Sequence, residues 1–184
     1  MSDRELGYTN LPFYRDGLSS ALGFDASDLS SNRAGLLGPG QHRTQMRQLL
    51  KTSAGTLFLL ALAVLFAFIA LAAGLSSRIG IQSMLAVAAC LFGAGYFGWF
   101  GLRLGLDLRA GAVSSIEGFV KPTERETRVG AGFRSVPVWT YYWNVDDRER
   151  FAVTGKAYGA LTAARHRLYY LPRSRRVVAA EPAS

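Results

Sequence analysis

Residues 52–102 read TSAGTLFLLALAVLFAFIALAAGLSSRIGIQSMLAVAACLFGAGYFGWFGL, and Arg78 is the only charged side chain among them. The runs on either side of Arg78 are each longer than the roughly 20 apolar residues that a helix needs to cross a bilayer. They therefore predict a two-helix transmembrane hairpin with spans of about residues 53–76 and 82–104. Gly74, Gly80 and the serines between them suit a tight turn at its tip.

The hairpin divides the chain of 184 residues into three segments. We expect residues 1–38 to form an extended N-terminal arm, with a short helical turn near Asp16 and a loop over residues 27–40. Residues 39–107 form the hairpin, and residues 108–184 a small β domain. We do not expect the first span to be a secretory signal, because it starts past residue 50 and a second span follows at once.

Lysine and arginine residues near the span ends indicate the orientation. Five of them flank the two outer ends, whereas the connecting turn has only Arg78; the five are Arg43, Arg47, Lys51, Arg103 and Arg109. Cytoplasmic flanks carry such an excess. We therefore expect a multi-pass protein of the inner (cytoplasmic) membrane with both termini in the cytoplasm.

Small residues recur at a spacing of four along the second run, and such pairs let helices approach closely in lipid. The candidate helix-packing residues are Ala89, Gly93, Ala94, Gly98, Gly101 and Gly105. One face of this set serves the packing of the two spans on each other. The number of faces also favours contact with a transmembrane helix of another protein.

Four aromatic side chains crowd the end of the second run: Tyr96, Phe97, Trp99 and Phe100. They are typical of an aromatic belt at the membrane interface; the alternative is a docking surface for a partner subunit or a lipid-like cofactor. Neither run contains His, Asp, Glu, Lys or Arg. This argues against a pump, a proton-coupled transporter or a voltage sensor, and against haem held by an intramembrane histidine.

After Arg109 the pattern changes to short β-type runs. The clearest is VPVWTYYWNV at residues 136–145, which is dense in β-branched and aromatic residues. Asp146 and Asp147 predict a turn into a second strand over residues 150–154. A further strand is expected at residues 112–120, ended by Lys121 and Pro122. Others are expected at residues 125–129, 167–171 and 176–180, with a short helix at 157–164. We expect the strands to form a partly closed barrel, because closure removes the exposed edges of a sheet.

The predicted fold class is thus an α+β membrane protein, in which a two-helix transmembrane hairpin precedes a small cytoplasmic antiparallel β-barrel-like domain. This order of segments, the stretch RLYYLPRSRRVVAAE at residues 167–181, and the pattern NRAG…L…Q within residues 32–41 resemble bacterial two-span membrane proteins of unassigned function. The resemblance covers most of residues 32–182. It implies the architecture and no activity, so no functional residue is carried over.

The formal net charge is +8, and residues 103–184 hold 14 Lys and Arg against 8 Asp and Glu. Five arginines of this segment are candidates for contact with anionic lipid or a protein partner: Arg165, Arg167, Arg173, Arg175 and Arg176. Arginines interleaved with Tyr169 and Tyr170 also occur in proteins that bind single-stranded nucleic acid. We expect lipid or protein rather than nucleic acid.

No catalytic constellation is found in the sequence. His42 and His166 are the only histidines, no Cys or carboxylate cluster has metal-ligand spacing, and no G-x-S-x-G motif is present. Asp146, Asp147 and Glu149 are interpreted as a solvated turn. We therefore expect no enzyme, no metal and no cofactor.

The leading hypothesis for function is a non-enzymatic accessory or scaffold subunit of a larger integral membrane complex, for example a respiratory or photosynthetic one. Its hairpin would pack against other integral membrane subunits, and its β domain and arm would cover their cytoplasmic face. The alternative is a free membrane-anchored regulatory module whose basic β domain binds anionic lipid or a ligand.

Overall fold

Two long helices and a five-stranded antiparallel sheet make up the chain in the computed structural model, which describes residues 12–75, 77–129 and 135–183. The chain divides into two units. The helical unit comprises residues 43–109. The sheet unit comprises the segments that precede and follow it, residues 12–42 and 110–183 in the described part of the chain.

The helical unit contains most of helices α3 (Pro39–Ala73) and α4 (Arg78–Ala110). The predicted turn between them is present: Gly74 adopts a φ of +78°, which a side chain would strain. The Ser77 hydroxyl donates to the Gly74 carbonyl at 2.7 Å and accepts from the Gly80 N–H at 3.0 Å. Ser77 thereby caps the first turn of α4. The prediction of two long apolar helices is confirmed.

The sheet unit begins with helices α1 (Pro12–Leu22) and α2 (Ala26–Arg33). After the helical unit follow β1 (Ser114–Val129), β2 (Val136–Val145), β3 (Glu149–Val153), α5 (Gly155–Ala160), β4 (Ala164–Tyr170) and β5 (Val177–Pro182). The strands are ordered β3-β2-β1-β4-β5, so β3 and β5 are the two edges.

The prediction of a barrel is wrong, because the sheet stays open. The edge strand β3 approaches β4 at one end, where the rings of Phe151 and Tyr170 lie 4.9 Å apart. Among the described strands, no pairing joins β3 to β5. Helices complete the core instead: Leu18 of α1 and Ala157 of α5 pack with Trp143 and other buried residues of the sheet. Covering one face with helices buries the apolar surface that closure would otherwise bury.

The N-terminal segment differs from the extended arm that the sequence suggested. Residues 12–22 and 26–33 are helical, and Leu18 is 1% exposed in the core of the sheet unit. A capping box starts α2: the Asp25 carboxylate accepts the Asp28 N–H at 2.7 Å, and the Asp28 carboxylate faces the Asp25 N–H at 3.4 Å. Leu18 therefore belongs to the sheet's own core, and Ala21 and Leu22 of α1 pack against that core.

Strand β1 runs through Pro122, where the sequence predicted a break. Strand β4 pairs only with Ser114–Val120, so beyond Val120 β1 has a single neighbour, β2. Proline is tolerated there because an edge strand has one side without ladder hydrogen bonds.

Strand β2 has the predicted bounds. The predicted turn after it is also confirmed: Asp146 and Asp147 both have positive φ, as in a type I′ turn.

Candidate functional site

Arg33, at the end of α2, meets Glu181 of β5, although 148 residues separate them in sequence. The Arg33 guanidinium donates to both Glu181 oxygens through Nε and Nη2. The Tyr169 hydroxyl of β4 donates to Glu181 Oε1 at 2.6 Å. Burial by itself would raise the pKa of Glu181, but these hydrogen bonds and the charges of Arg33 and Arg167 outweigh it and lower the pKa. Glu181 is therefore held as a carboxylate.

Arg167 stands beside this group on β4. It is the register partner of Glu117 on β1 and of Glu181 on β5. Its Nη2 and Nε donate to Glu117 at 2.7 and 3.2 Å, and its charge also acts on Tyr169 and Glu181. An ion pair as exposed as Arg167–Glu117 contributes no more than about 1 kcal/mol to stability. Its effect is to fix the position of the guanidinium.

Next to these charges lies a cavity of about 600 Å³, which we call the β5-edge cavity. Its walls come from α1, α2, the segment between them, and the edge strand; the lining residues that matter below are Leu18, Phe24, Leu29, Arg33, Arg167 and Glu181. Its volume falls within the roughly 300–1,000 Å³ of small-molecule sites. The cavity combines apolar walls with two arginines whose positions are fixed by carboxylates.

The five arginines predicted as a contact surface have different environments. Arg167 faces the β5-edge cavity, whereas Arg175 donates to Glu149 at 2.5 Å and lies 5.0 Å from the Phe151 ring centroid. Arg176 is half-buried, and desolvation lowers its pKa. Arg165 and Arg173 are exposed. Only part of the set is therefore available to a flat anionic surface.

Most of the predicted helix-packing residues lie against α3. A Cβ at Gly93 would lie 3.1 Å from Leu59, and one at Gly101 would lie 3.5 Å from Thr52. Gly98 and Gly105 likewise approach Thr56 and Leu49 at 3.8 Å. Ala94 is buried, but Ala89 is exposed. Packing within the hairpin thus uses four of the glycines on one face of α4.

The four predicted interface aromatics form an outward cluster on α4. Their exposed fractions run from 45 to 56%. The Tyr96 ring packs at a tilt against Phe100, with centroids 4.8 Å apart, and meets Phe97 edge-on at 5.8 Å. The Arg103 guanidinium lies 4.5 Å from the Trp99 ring centroid. The cluster is ordered by its own contacts and leaves its apolar faces available.

A buried polar group joins α2 to the start of α3. The Asp28 carboxylate accepts the Gly40 N–H at 3.2 Å, and a Cβ at Gly38 would collide with it. The Gln41 side chain accepts the Gly38 N–H at 3.3 Å and donates to the Val178 carbonyl at 3.0 Å. Asn32 is also buried, yet in the described part of the chain neither of its amide atoms has a hydrogen-bond partner.

Sequence analysis missed Arg33, Glu181, Asp28 and Gln41 as a structural group. The signal that could have found Asp28 and Gln41 is the pair of glycines Gly38 and Gly40 next to Gln41, because glycines allow another group to approach the backbone closely. For Arg33 and Glu181 no local signal exists, because their contact depends on the packing of α2 beside β5.

His166 is fully buried on β4, and its Nδ1 lies 3.0 Å from the Ala164 carbonyl. Desolvation lowers the pKa of this imidazole, and the hydrogen bond to Ala164 offsets the effect only in part. Within residues 12–75, 77–129 and 135–183, no group of three or more His, Cys, Asp or Glu side chains could hold a metal ion.

No protein-family model, curated protein or solved structure matches the chain. The class that the fold defines is a pair of long apolar helices followed by an open antiparallel β-sheet.

Proposed function

We propose that the chain is an integral membrane protein whose helical unit spans the bilayer twice. The observation that carries this proposal is the exposure of that unit. In the most apolar 18-residue window of α3 and of α4, only 11% of residues are buried. Phe68 is 70% and Phe92 80% exposed. A core helix of a soluble protein would be mostly buried, whereas a helix that is apolar all round requires lipid or protein around it.

The proposed location is the inner membrane, with both termini in the cytoplasm, since the flanks are rich in Lys and Arg and the turn is not. Cys90 is the only cysteine, so a Cys90→Ala background permits labelling from one side. We expect Leu75→Cys to react with a membrane-impermeant maleimide in intact cells, and Ser115→Cys to react only after permeabilisation. The reverse pattern would contradict this orientation.

Within that frame, we propose a non-enzymatic accessory or scaffold subunit of a larger membrane complex, with a respiratory or photosynthetic host as examples. The exposed cluster of Tyr96, Phe97, Trp99 and Phe100 supports this, because aromatic residues are enriched in the cores of protein interfaces. Native purification in mild detergent tests it. We expect integral membrane subunits to copurify with the wild type and to be lost from a Trp99→Ala, Phe100→Ala double variant. Elution as a single chain would refute the proposal.

A second candidate function is a free membrane-anchored regulatory module whose sheet unit binds anionic lipid or a ligand. The observation that favours it is the β5-edge cavity, which has ligand-site volume and arginines in its wall. Reconstitution into vesicles with and without anionic lipid, followed by protease protection of the sheet unit, tests the lipid part. Equal protection in both vesicles would argue against it.

A further inference from the structure

We propose that the β5-edge cavity binds a single-chain amphiphile with one anionic head, a carboxylate or a phosphate, and that Arg33 and Arg167 hold the head. This inference deepens the second candidate function and rests on it for the source of the ligand. The binding site consists of the lining residues of α1, α2, β4 and β5.

The first argument is the hydrogen-bonding capacity of the two arginines. Both donate to their carboxylate partners through Nε and Nη2, Arg33 to Glu181 and Arg167 to Glu117. The Tyr169 hydroxyl also bonds to both arginines. Because a guanidinium has five N–H donors, each arginine still has donors for another acceptor. Both side chains line one cavity and are held in position by their glutamate partners. An anion would therefore meet donors that are already positioned.

The second argument is that the carboxylates in the wall are already engaged. Glu181 accepts from Arg33 and from Tyr169. Asp25 accepts from the Asp28 N–H and from the Ser27 hydroxyl, each at 2.7 Å, as the N-cap of α2. Both oxygens of Glu181 accept hydrogen bonds, and Asp25 accepts both of its own through Oδ1. The two arginines add donors to the same wall, which favours an anionic head over a cationic one.

The third argument concerns the body of the ligand. Leu18, Phe24 and Leu29 line the same space, with Ala180, Pro182 and Ala183 of the edge strand and its end. An inorganic anion would leave this apolar wall unused, whereas an alkyl chain gains roughly 0.8 kcal/mol for each CH₂ that it buries. A protein anchored in a bilayer has such amphiphiles close by.

Native mass spectrometry and thermal unfolding of the full chain in neutral-lipid nanodiscs test the proposal. The probes share a twelve-carbon chain: dodecanoate, dodecyl phosphate, dodecanol and dodecyltrimethylammonium, with inorganic phosphate added to represent the head alone. We expect one-to-one binding and a raised Tm for the two anions and little effect of the other three. Dodecanoate and dodecyl phosphate separate the two heads. Equal shifts for all four amphiphiles would overturn the proposal.

Variants locate the site. Arg167→Gln should weaken dodecanoate binding about tenfold or more, because it removes a charge-assisted hydrogen bond. Arg175→Gln is the matched control: it also removes an arginine paired with a glutamate, but Arg175 is outside the cavity lining. Ala26→Trp, at the exposed start of α2, should fill the cavity and abolish binding, whereas Ala163→Trp on an exposed turn should not. Equal loss in Arg167→Gln and Arg175→Gln would refute the assignment.

The outcomes also separate this inference from the proposed function. If anionic vesicles protect the sheet unit and Ala26→Trp retains full dodecanoate binding, the lipid-binding role survives and the cavity assignment fails. If the chain proves water-soluble without detergent, the membrane proposal fails, and amphiphile binding can still be measured in solution.

Discussion

The helical and sheet units contain the same kinds of large apolar residue and expose them to opposite degrees. Phe92 on α4 is 80% exposed, whereas Phe151 on β3 is 0% exposed; Trp99 is 53% exposed and Trp143 0%. Water favours burial of such side chains, and the sheet unit obeys this rule. The helical unit is consistent with a different solvent, because its outward surface is apolar over residues 54–73 of α3 and over most of residues 79–102 of α4.

The largest expected effect comes from a matched pair of Phe→Ala substitutions. Phe151→Ala should destabilise the sheet unit by about 3–5 kcal/mol, the usual cost of truncating a fully buried phenylalanine. Phe92→Ala should leave the unfolding of the sheet unit unchanged. Thermal unfolding of both variants in the same detergent measures the difference. Equal destabilisation would mean that Phe92 is a core residue of the monomer.

A matched pair of Val→Arg substitutions tests which solvent each unit faces. Val64 on α3 and Val138 on β2 are 71 and 45% exposed. If α3 lies in lipid, Val64→Arg should raise the free energy of insertion by about 2.5–3.5 kcal/mol, whereas Val138→Arg should cost close to zero. The inserted fraction, measured by carbonate extraction of membranes, reports the difference. Full insertion of Val64→Arg would place that side chain against water or an acidic partner.

Two buried side-chain amides of the sheet unit, Gln41 and Asn32, differ in their hydrogen bonding and test how much such bonds contribute to stability. Gln41→Leu leaves the Val178 carbonyl and the Gly38 N–H without their partner, so it should cost about 1–3 kcal/mol. Asn32→Leu removes no hydrogen bond to the described residues, so its Tm should stay near that of the wild type. Thermal unfolding decides between them. A larger loss in Asn32→Leu would show that its amide is bridged by a bound water.

The smallest expected effect is the pH dependence contributed by Glu181. Its pKa in the folded chain is below its ordinary value of 4.5, so the unfolded state binds more protons in that range. The contribution to stability is full above about pH 4.5 and is lost as the pH falls through the folded-state pKa. Wild type should therefore exceed Glu181→Gln in Tm at neutral pH and converge with it once the pH falls below the folded-state pKa of Glu181.

Glu181→Gln is the reference for the wild type, because the buried His166 also contributes a pH dependence to stability. The lowered pKa of His166 means that the unfolded state binds the extra proton below the ordinary value of 6.5, so stability also falls as the pH drops below that value. This loss is common to wild type and Glu181→Gln. The difference between their Tm values isolates Glu181, and a difference independent of pH would contradict its assignment as a native carboxylate.

Local patterns predicted the elements whose signal is contained within a few turns or strands. The two long apolar helices, the bounds of β2 and the Asp146–Asp147 turn each follow from periodicity or from turn chemistry in one stretch of sequence. The break predicted at Pro122 was wrong because proline's tolerance depends on how many neighbours its strand has. That number is set by the length of β4, which begins 42 residues further on, at Ala164.

The sequence by itself determined that residues 52–102 form two helices suited to an apolar solvent and that aromatic and β-branched runs follow as strands, since hydrophobic periodicity acts within a single element. Only the tertiary structure decided that the sheet stays open, that α1 completes its core, and that Arg33 meets Glu181 beside a cavity. These features depend on surfaces brought together from distant parts of the chain. A short stretch of sequence contains no information about the free energy of burying one such surface against another.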